Sequence, residues 1–222
     1  KDLTYPLTAY FSGSGMDSLL MDNFQTMNIE DLWLDYYCIS TDLTDSCECV
    51  HRNGVLWRYV RASMSLGPFI PPICDTSEGG KKVHYLVDGG YVNIVPVDVM
   101  AKVWHPETII AVDVANYEQF GEHDYGDSFS GFRECILRCF KRGRKVPSMT
   151  DISSQLAFVT CMRDLPQKIS DHCDLFLHPP VGGYGTLDYD KHGDIREIGY
   201  KHAKVAIQKW RAHMHATGDT RF

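Results

Sequence analysis

The residues best placed to do chemistry in this sequence are Asp88-Gly89-Gly90, directly behind the apolar run Val83-His84-Tyr85-Leu86-Val87. An acidic residue at the carboxyl end of a buried strand sits where open α/β sheets present ligand-facing groups. The two glycines let the backbone turn sharply and leave space beside the carboxylate. A strand ending in Asp-Gly-Gly fits a turn cap as well as a functional acid, so both readings stay open on these residues alone. Cys47, Cys49 and His51 alternate on one strand and would share a face, which is the geometry of a partial metal site; a second ligand pair of the usual wider spacing is absent, and ordinary strand residues are the plainer reading. Cys135 and Cys139, one helical turn apart, fit core packing or a shared ligand. The ten histidines lie in unrelated contexts and outside any hydrolase signature, so a Cys-His nucleophile has little support.

The elements that must position these residues alternate between strand and helix. Met16 to Phe24 has helical character. Trp33 to Ser40, rich in aromatic and β-branched residues, predicts a buried strand, and Thr41 to Ser46 a turn. Cys47 to His51 predicts a strand ending at Asn53-Gly54, a hairpin-turn signal. A short helix is expected over Tyr59 to Leu66, stopped by Gly67-Pro68 and Pro71-Pro72. Val97 to Trp104 forms the next, with Pro96 in its first turn. The near-continuous apolar run Thr108 to Val114 predicts a strand covered on both faces. Further helices are expected over Ser130 to Lys141, Ile152 to Met162 and Ile195 to His215, with a short strand at Cys173 to Leu177. The alternation points to an α/β fold, a sheet sandwiched between helices.

Composition bounds the rest. A chain of 222 residues with 44% hydrophobic content can bury a sizeable core. A net charge of -7 argues against a nucleic-acid partner. The one basic run, Lys141-Arg142-Gly143-Arg144-Lys145, reads as a solvated loop, with anionic headgroups as the sharper alternative. Eight cysteines scattered through strand and helix patterns read as free thiols. No run approaches the roughly 20 apolar residues that span a bilayer, and Lys1 to Pro6 does not have the pattern of a secretory signal.

Read in order, Cys38-Ile39-Ser40-Thr41-Asp42, then Leu56-Trp57-Arg58-Tyr59-Val60-Arg61-Ala62-Ser63-Met64-Ser65-Leu66 with Pro71-Pro72, then Leu86-Val87-Asp88-Gly89-Gly90-Tyr91-Val92-Asn93-Ile94-Val95-Pro96 resembles the patatin-like phospholipase family. Asp31-Leu32-Trp33, Tyr125-Gly126-Asp127 with Ser130-Gly131, and Thr186-Leu187-Asp188-Tyr189 are similar to its neuropathy target esterase branch. The resemblance covers nearly the whole chain. It implies a three-layer sandwich around a mostly parallel sheet, and an esterase acting on lysophospholipids or phospholipids through a Ser–Asp dyad. Asp88 matches the aspartate that takes the serine proton, and Gly89-Gly90 complete its motif. Dyad chemistry implies no metal or organic cofactor. The resemblance also implies the cytoplasmic face of the endoplasmic reticulum membrane as location and a membrane surface as partner.

The serine itself is not in these residues. In the family it occupies a Gly-x-Ser-x-Gly elbow, and that pattern occurs nowhere in the chain. Ser12-Gly13-Ser14-Gly15 has the wrong spacing and follows a loop. The expectation is therefore a chain corresponding to the C-terminal portion of one patatin-like domain, with a core over about 1–115 and a helical extension over about 116–222. On that reading the nucleophile-bearing strand belongs to a missing N-terminal part of the same protein, and the 222 residues alone are inactive. The alternative is a catalytically dead module that binds lipid or another protein.

Overall fold

A computed structural model describes residues 2–5, 7–67, 69–76, 80–115, 127–128, 130–131, 149–184 and 188–218. The helix expected over Ser130 to Lys141, with Cys135 and Cys139, and the basic run 141–145 lie outside the residues described, apart from Ser130 and Gly131. The strands are β1 (Cys38–Asp42), β2 (Cys47–His51), β3 (Ile73–Thr76), β4 (Val83–Asp88), β5 (Ile110–Val112) and β6 (Leu175–Leu177). The helices are α1 (Ser14–Phe24), α2 (Leu56–Ser63), α3 (Val97–Trp104), α4 (Met149–His172) and α5 (His192–Thr217). These form two compact units, residues 1–96 with 156–166 and residues 97–155 with 167–222.

The first unit is built on a four-stranded sheet in the order β2-β1-β4-β3, with every neighbouring pair antiparallel. Strand β1 is buried along its whole length, because it has a hydrogen-bonded neighbour on each side and side chains packed against both faces. Ser40 pairs with Asp88 across the β1–β4 ladder and with Cys49 across β1–β2. Residues opposite one another share a face, so Ser40, Asp42, Cys47, Cys49, His51, His84 and Asp75 all project to one side. Helix α2 covers part of that side, away from the exposed Cys47: the Tyr59 ring stacks on His51 at 4.2 Å, and its hydroxyl donates to Asp75 at 3.2 Å.

Helix α2 also carries a buried arginine. Arg61 is 1% exposed. Its Nε donates to Asp17 of α1 at 2.8 Å, one Nη donates to Ser65, and the other to the Pro71 carbonyl at 3.3 Å. The three acceptors satisfy most of the guanidinium donors, which is the condition for holding this charge out of water. The same group fixes the entry to α1: Gly13 has φ +85°, and a Cβ there would meet the guanidinium at 2.5 Å.

In the second unit β5 and β6 pair in parallel, Ala111 opposite Phe176. Helix α5 packs on β6. The α/β architecture expected from the alternating pattern is present, and its parallel part is this small pair.

Three local expectations are corrected. Strand β1 begins at Cys38; Trp33 and Leu34 stand exposed in a loop, because no neighbouring strand among the described residues takes up their backbone. The tight hairpin turn is Leu43–Ser46, where Asp42 pairs with Cys47, whereas Gly54, at φ +96°, leads from β2 into α2. The Thr108–Val114 run is covered on one face, since Ala111 is buried while Ile110 and Val112 are about half exposed.

Candidate functional site

Asp88 terminates β4. Its backbone N–H donates to the Ser65 carbonyl at 3.1 Å, and its carbonyl accepts from Thr41 Oγ1 at 2.8 Å. Held from both sides, the residue turns its carboxylate toward the short 3-10 turn Gly89–Tyr91, where Oδ1 accepts the Gly90 N–H at 2.7 Å. The turn-cap reading of Asp88 is therefore correct as far as it goes. The second carboxylate oxygen is left for other work. Burial raises the carboxyl above the usual aspartate range, and the Gly90 N–H offsets this only in part. Such a carboxylate is a stronger base than an exposed one.

The glycines have separate reasons. Gly89 packs against the backbone of Ile39, and a Cβ would run into its carbonyl, 2.8 Å from the carbon. Gly90 brings its N–H to the carboxylate, and a Cβ there would lie 3.2 Å from Asp88 Oδ1. The Gly90 carbonyl accepts from Cys161 Sγ of α4 at 3.0 Å.

In front of Asp88 is a cleft of about 460 Å³ lined by Tyr36, Cys38, Ile39, Ser63, Asn93 and Ile94 among others. One carboxylate among aromatic, aliphatic and small polar groups is the usual make-up of a small-molecule site. Burial pushes the Cys38 thiol up to about 11 and the Tyr36 hydroxyl up to about 12, so both stay protonated near neutrality. Cys38 is thus no thiolate nucleophile.

The remaining sequence candidates fall elsewhere. Ser12, on the exposed loop before α1, and Ser14, the first residue of α1, both donate to Asp2, Ser14 at 3.0 Å. That loop leads into a helix from no strand, so it is not a nucleophile elbow. His51 Nε2 lies 2.6 Å from Ser40 Oγ, a distance that suits a serine–histidine pair. Ser40 is fully buried, however, and no substrate can reach it. Burial also holds the His51 imidazole below its ordinary pKa. Cys47 and Cys49 share a face with His51, as alternation predicts, but His51 is taken up by Ser40 and Tyr59. Asp42, which the sequence reading missed, stands in its place beside the two sulfurs.

Two further buried polar groups were also missed. Arg61 lies in a helix whose pattern reads as an ordinary amphipathic segment. Asp113 follows β5 with Oδ1 accepting the Ala115 N–H at 2.9 Å, while Oδ2 is buried without a hydrogen-bond partner. No local signal in the sequence distinguishes Arg61 from a surface charge, whereas Asp113 stands inside the apolar run Thr108 to Val114, which is the local hint of its burial.

Comparison with known proteins gives the family. No family model matches the chain. It is 43% identical over 212 residues to mouse patatin-like phospholipase domain-containing protein 7, covering 94% of this chain and 15% of that protein. It is 43% identical over 206 residues to the Drosophila melanogaster neuropathy target esterase sws, covering 91% of this chain and 14% of the relative. For human patatin-like phospholipase domain-containing protein 6 the identity is 42% over 212 residues, covering 94% and 15%. The chain spans about 15% of the length of the curated relatives it matches. Identity at this level along nearly all of the chain is too long to arise from a shared short motif: the chain belongs to the patatin-like phospholipase domain proteins, in the branch of neuropathy target esterase.

Proposed function

We propose that Asp88 is the general base of a Ser–Asp dyad in a lipid esterase that hydrolyses the carboxylic ester of lysophospholipids or phospholipids. The observation that carries this reading is the carboxylate itself, held at a strand end with one oxygen on the Gly90 N–H and the other side facing an aromatic-lined cleft. The relatives' names, phospholipase and esterase, agree with it.

On this reading the serine comes from a part of the protein outside these 222 residues. Its hydroxyl would give its proton to Asp88 as the oxygen attacks the ester carbonyl; Asp88 then hands that proton to the departing glycerol oxygen, the C–O bond breaks, and an acyl-enzyme remains. Water then attacks the acyl carbonyl, giving a proton to Asp88, which returns it to the serine oxygen as the fatty acid leaves. The aromatic and aliphatic wall of the cleft suits an acyl chain.

The same lipid chemistry accounts for the loop before β1. Trp33 and Leu34 are exposed three and two residues ahead of the cleft-lining Tyr36, a position from which they would enter the interfacial layer of a membrane. None of the described helices is long and apolar enough to cross a membrane. The cytoplasmic face of the endoplasmic reticulum is the proposed location, on family resemblance.

The test is hydrolysis of lysophosphatidylcholine by the full protein, with fluorophosphonate labelling of its serine. Asp88→Asn should lower turnover by about 10²–10⁴-fold and slow labelling in step, while the circular dichroism is unchanged. Full activity in Asp88→Asn sinks the dyad. An absence of hydrolysis and labelling in the wild-type full protein favours a lipid-binding module instead. Serine-dependent hydrolysis by the 222 residues alone would refute an external nucleophile.

A further inference from the structure

The hairpin β1–β2 brings a set of donors together for which ester hydrolysis has no use. Asp42 is the last residue of β1, Cys47 the first of β2 and directly opposite it, and Cys49 lies on the same face two residues on. One carboxylate oxygen and the two sulfurs all lie within 4.8 Å of one another. In a tetrahedral zinc site with bonds of about 2.3 Å to sulfur, ligand atoms stand roughly 3.8 Å apart. The three side chains need to close by only about an ångström, which rotamer adjustment supplies.

We propose that Asp42, Cys47 and Cys49 bind one thiophilic divalent cation of zinc's class, with the fourth position open to solvent. Two thiolates and a carboxylate select zinc over magnesium or calcium, which take oxygen ligands alone. The carboxylate is already positioned for the task. Asp42 is 2% exposed, with Oδ1 accepting the Thr44 N–H at 2.7 Å and Oδ2 lying 2.6 Å from His84 Nδ1. Carboxylate ligands are themselves held by hydrogen bonds from an outer shell, and His84 occupies that place beside Asp42. Asp45 and His84 form an alternative group with Asp42, but Asp45 is engaged by Lys82, so the sulfur-bearing group is favoured. Access is open, because Cys47 is exposed. On binding, the thiol protons pass to solvent and the metal charge replaces them. The ion would pin the two strands of the hairpin at its turn end.

The experiment is a cobalt(II) titration of the reduced full protein, freed of metal with a chelator. One equivalent should produce thiolate-to-cobalt charge-transfer absorption that zinc abolishes by displacement. Cys47→Ser and Cys49→Ser should each lose this absorption, whereas Cys74→Ser, at another exposed thiol on β3, keeps it. His84→Ala should weaken cobalt binding by about 10–100-fold. Circular dichroism checks that each variant folds, and Cys47→Ser is the safest, since that side chain faces solvent. Absence of the charge-transfer band in the folded wild type overturns the proposal. So does its persistence in folded Cys47→Ser or Cys49→Ser. Loss of esterase activity on its own bears on Asp88 and leaves the metal readout untouched.

Discussion

Asp88 and Asp42 are both carboxylates on one sheet, and their surroundings drive them in opposite directions. Burial dominates at Asp88 and raises its pKa. A raised pKa means that the folded state favours the neutral acid, so the charged form costs stability at all pH values above it. Asp88→Asn should therefore melt at a higher temperature than the wild type at neutral pH, while losing about 10²–10⁴-fold in kcat on a lysophospholipid. Calorimetry and a turnover assay check the two halves. For the same reason the acidic limb of kcat/KM should lie above the ordinary aspartate range, with activity falling as pH drops and the base is protonated. At Asp42 burial also pushes upward, but the His84 hydrogen bond and the backbone N–H groups of Thr44 and Asp45 outweigh it and hold the pKa down. That contribution is present above the unfolded pKa and is lost as pH falls through the folded one. Asp42→Asn should destabilise the protein at neutral pH and flatten its acid unfolding, as followed by circular dichroism.

At the level of elements, the turn after β4 and the contact between α1 and α2 depend on single atoms. Gly89→Ala would force a methyl group into the Ile39 carbonyl and should cost about 1–3 kcal/mol in urea unfolding. Arg61→Ala strands Asp17, Ser65 and the Pro71 carbonyl and should cost about 3 kcal/mol. Partial exposure of Asp17 keeps the loss from being greater. Arg61→Lys should restore little, because an ammonium cannot reach three divergent acceptors. These elements also show how far the sequence could be read. Helix α3 was legible to the residue, since Pro96 marks its start and the apolar spacing its face. The strand leading to Asp88 was legible from its apolar run and its glycines. The start of β1 was not, because Trp33 and Leu34 carry strand-like side chains and only the partner strand decides where pairing begins. Asp42 and Arg61 were invisible as site or core residues, since their ionic partners His84 and Asp17 lie 42 and 44 residues away. Asp88 stood out locally; its raised pKa depends on the cleft around it.

For the molecule as a whole, the proposed lipid substrate and the exposed Trp33–Leu34 loop belong to one prediction. Trp33→Ala should weaken binding of the full protein to phosphatidylcholine vesicles, measured by sedimentation. Hydrolysis of a short-chain, freely soluble ester should be unchanged, because Trp33 does not line the cleft. An equal loss on both substrates would assign the loop to folding and not to the lipid surface.

The Cys161 contact with Gly90 has an implication for how the protein is made. The unit that carries Asp88 is discontinuous, with residues 156–166 returning to residues 1–96. A nascent chain emerges N-terminus first, so the sheet can pair long before this piece of α4 leaves the ribosome. Until then the glycine turn lacks the thiol that donates to it, and the loop to be closed spans 71 residues. Closure over such a span is an entropic cost met late. Translation arrested between Cys161 and the C-terminus, with the arrest point stepped along the chain, should show protease resistance of the Asp88 region appearing only after residue 166 has cleared the exit tunnel.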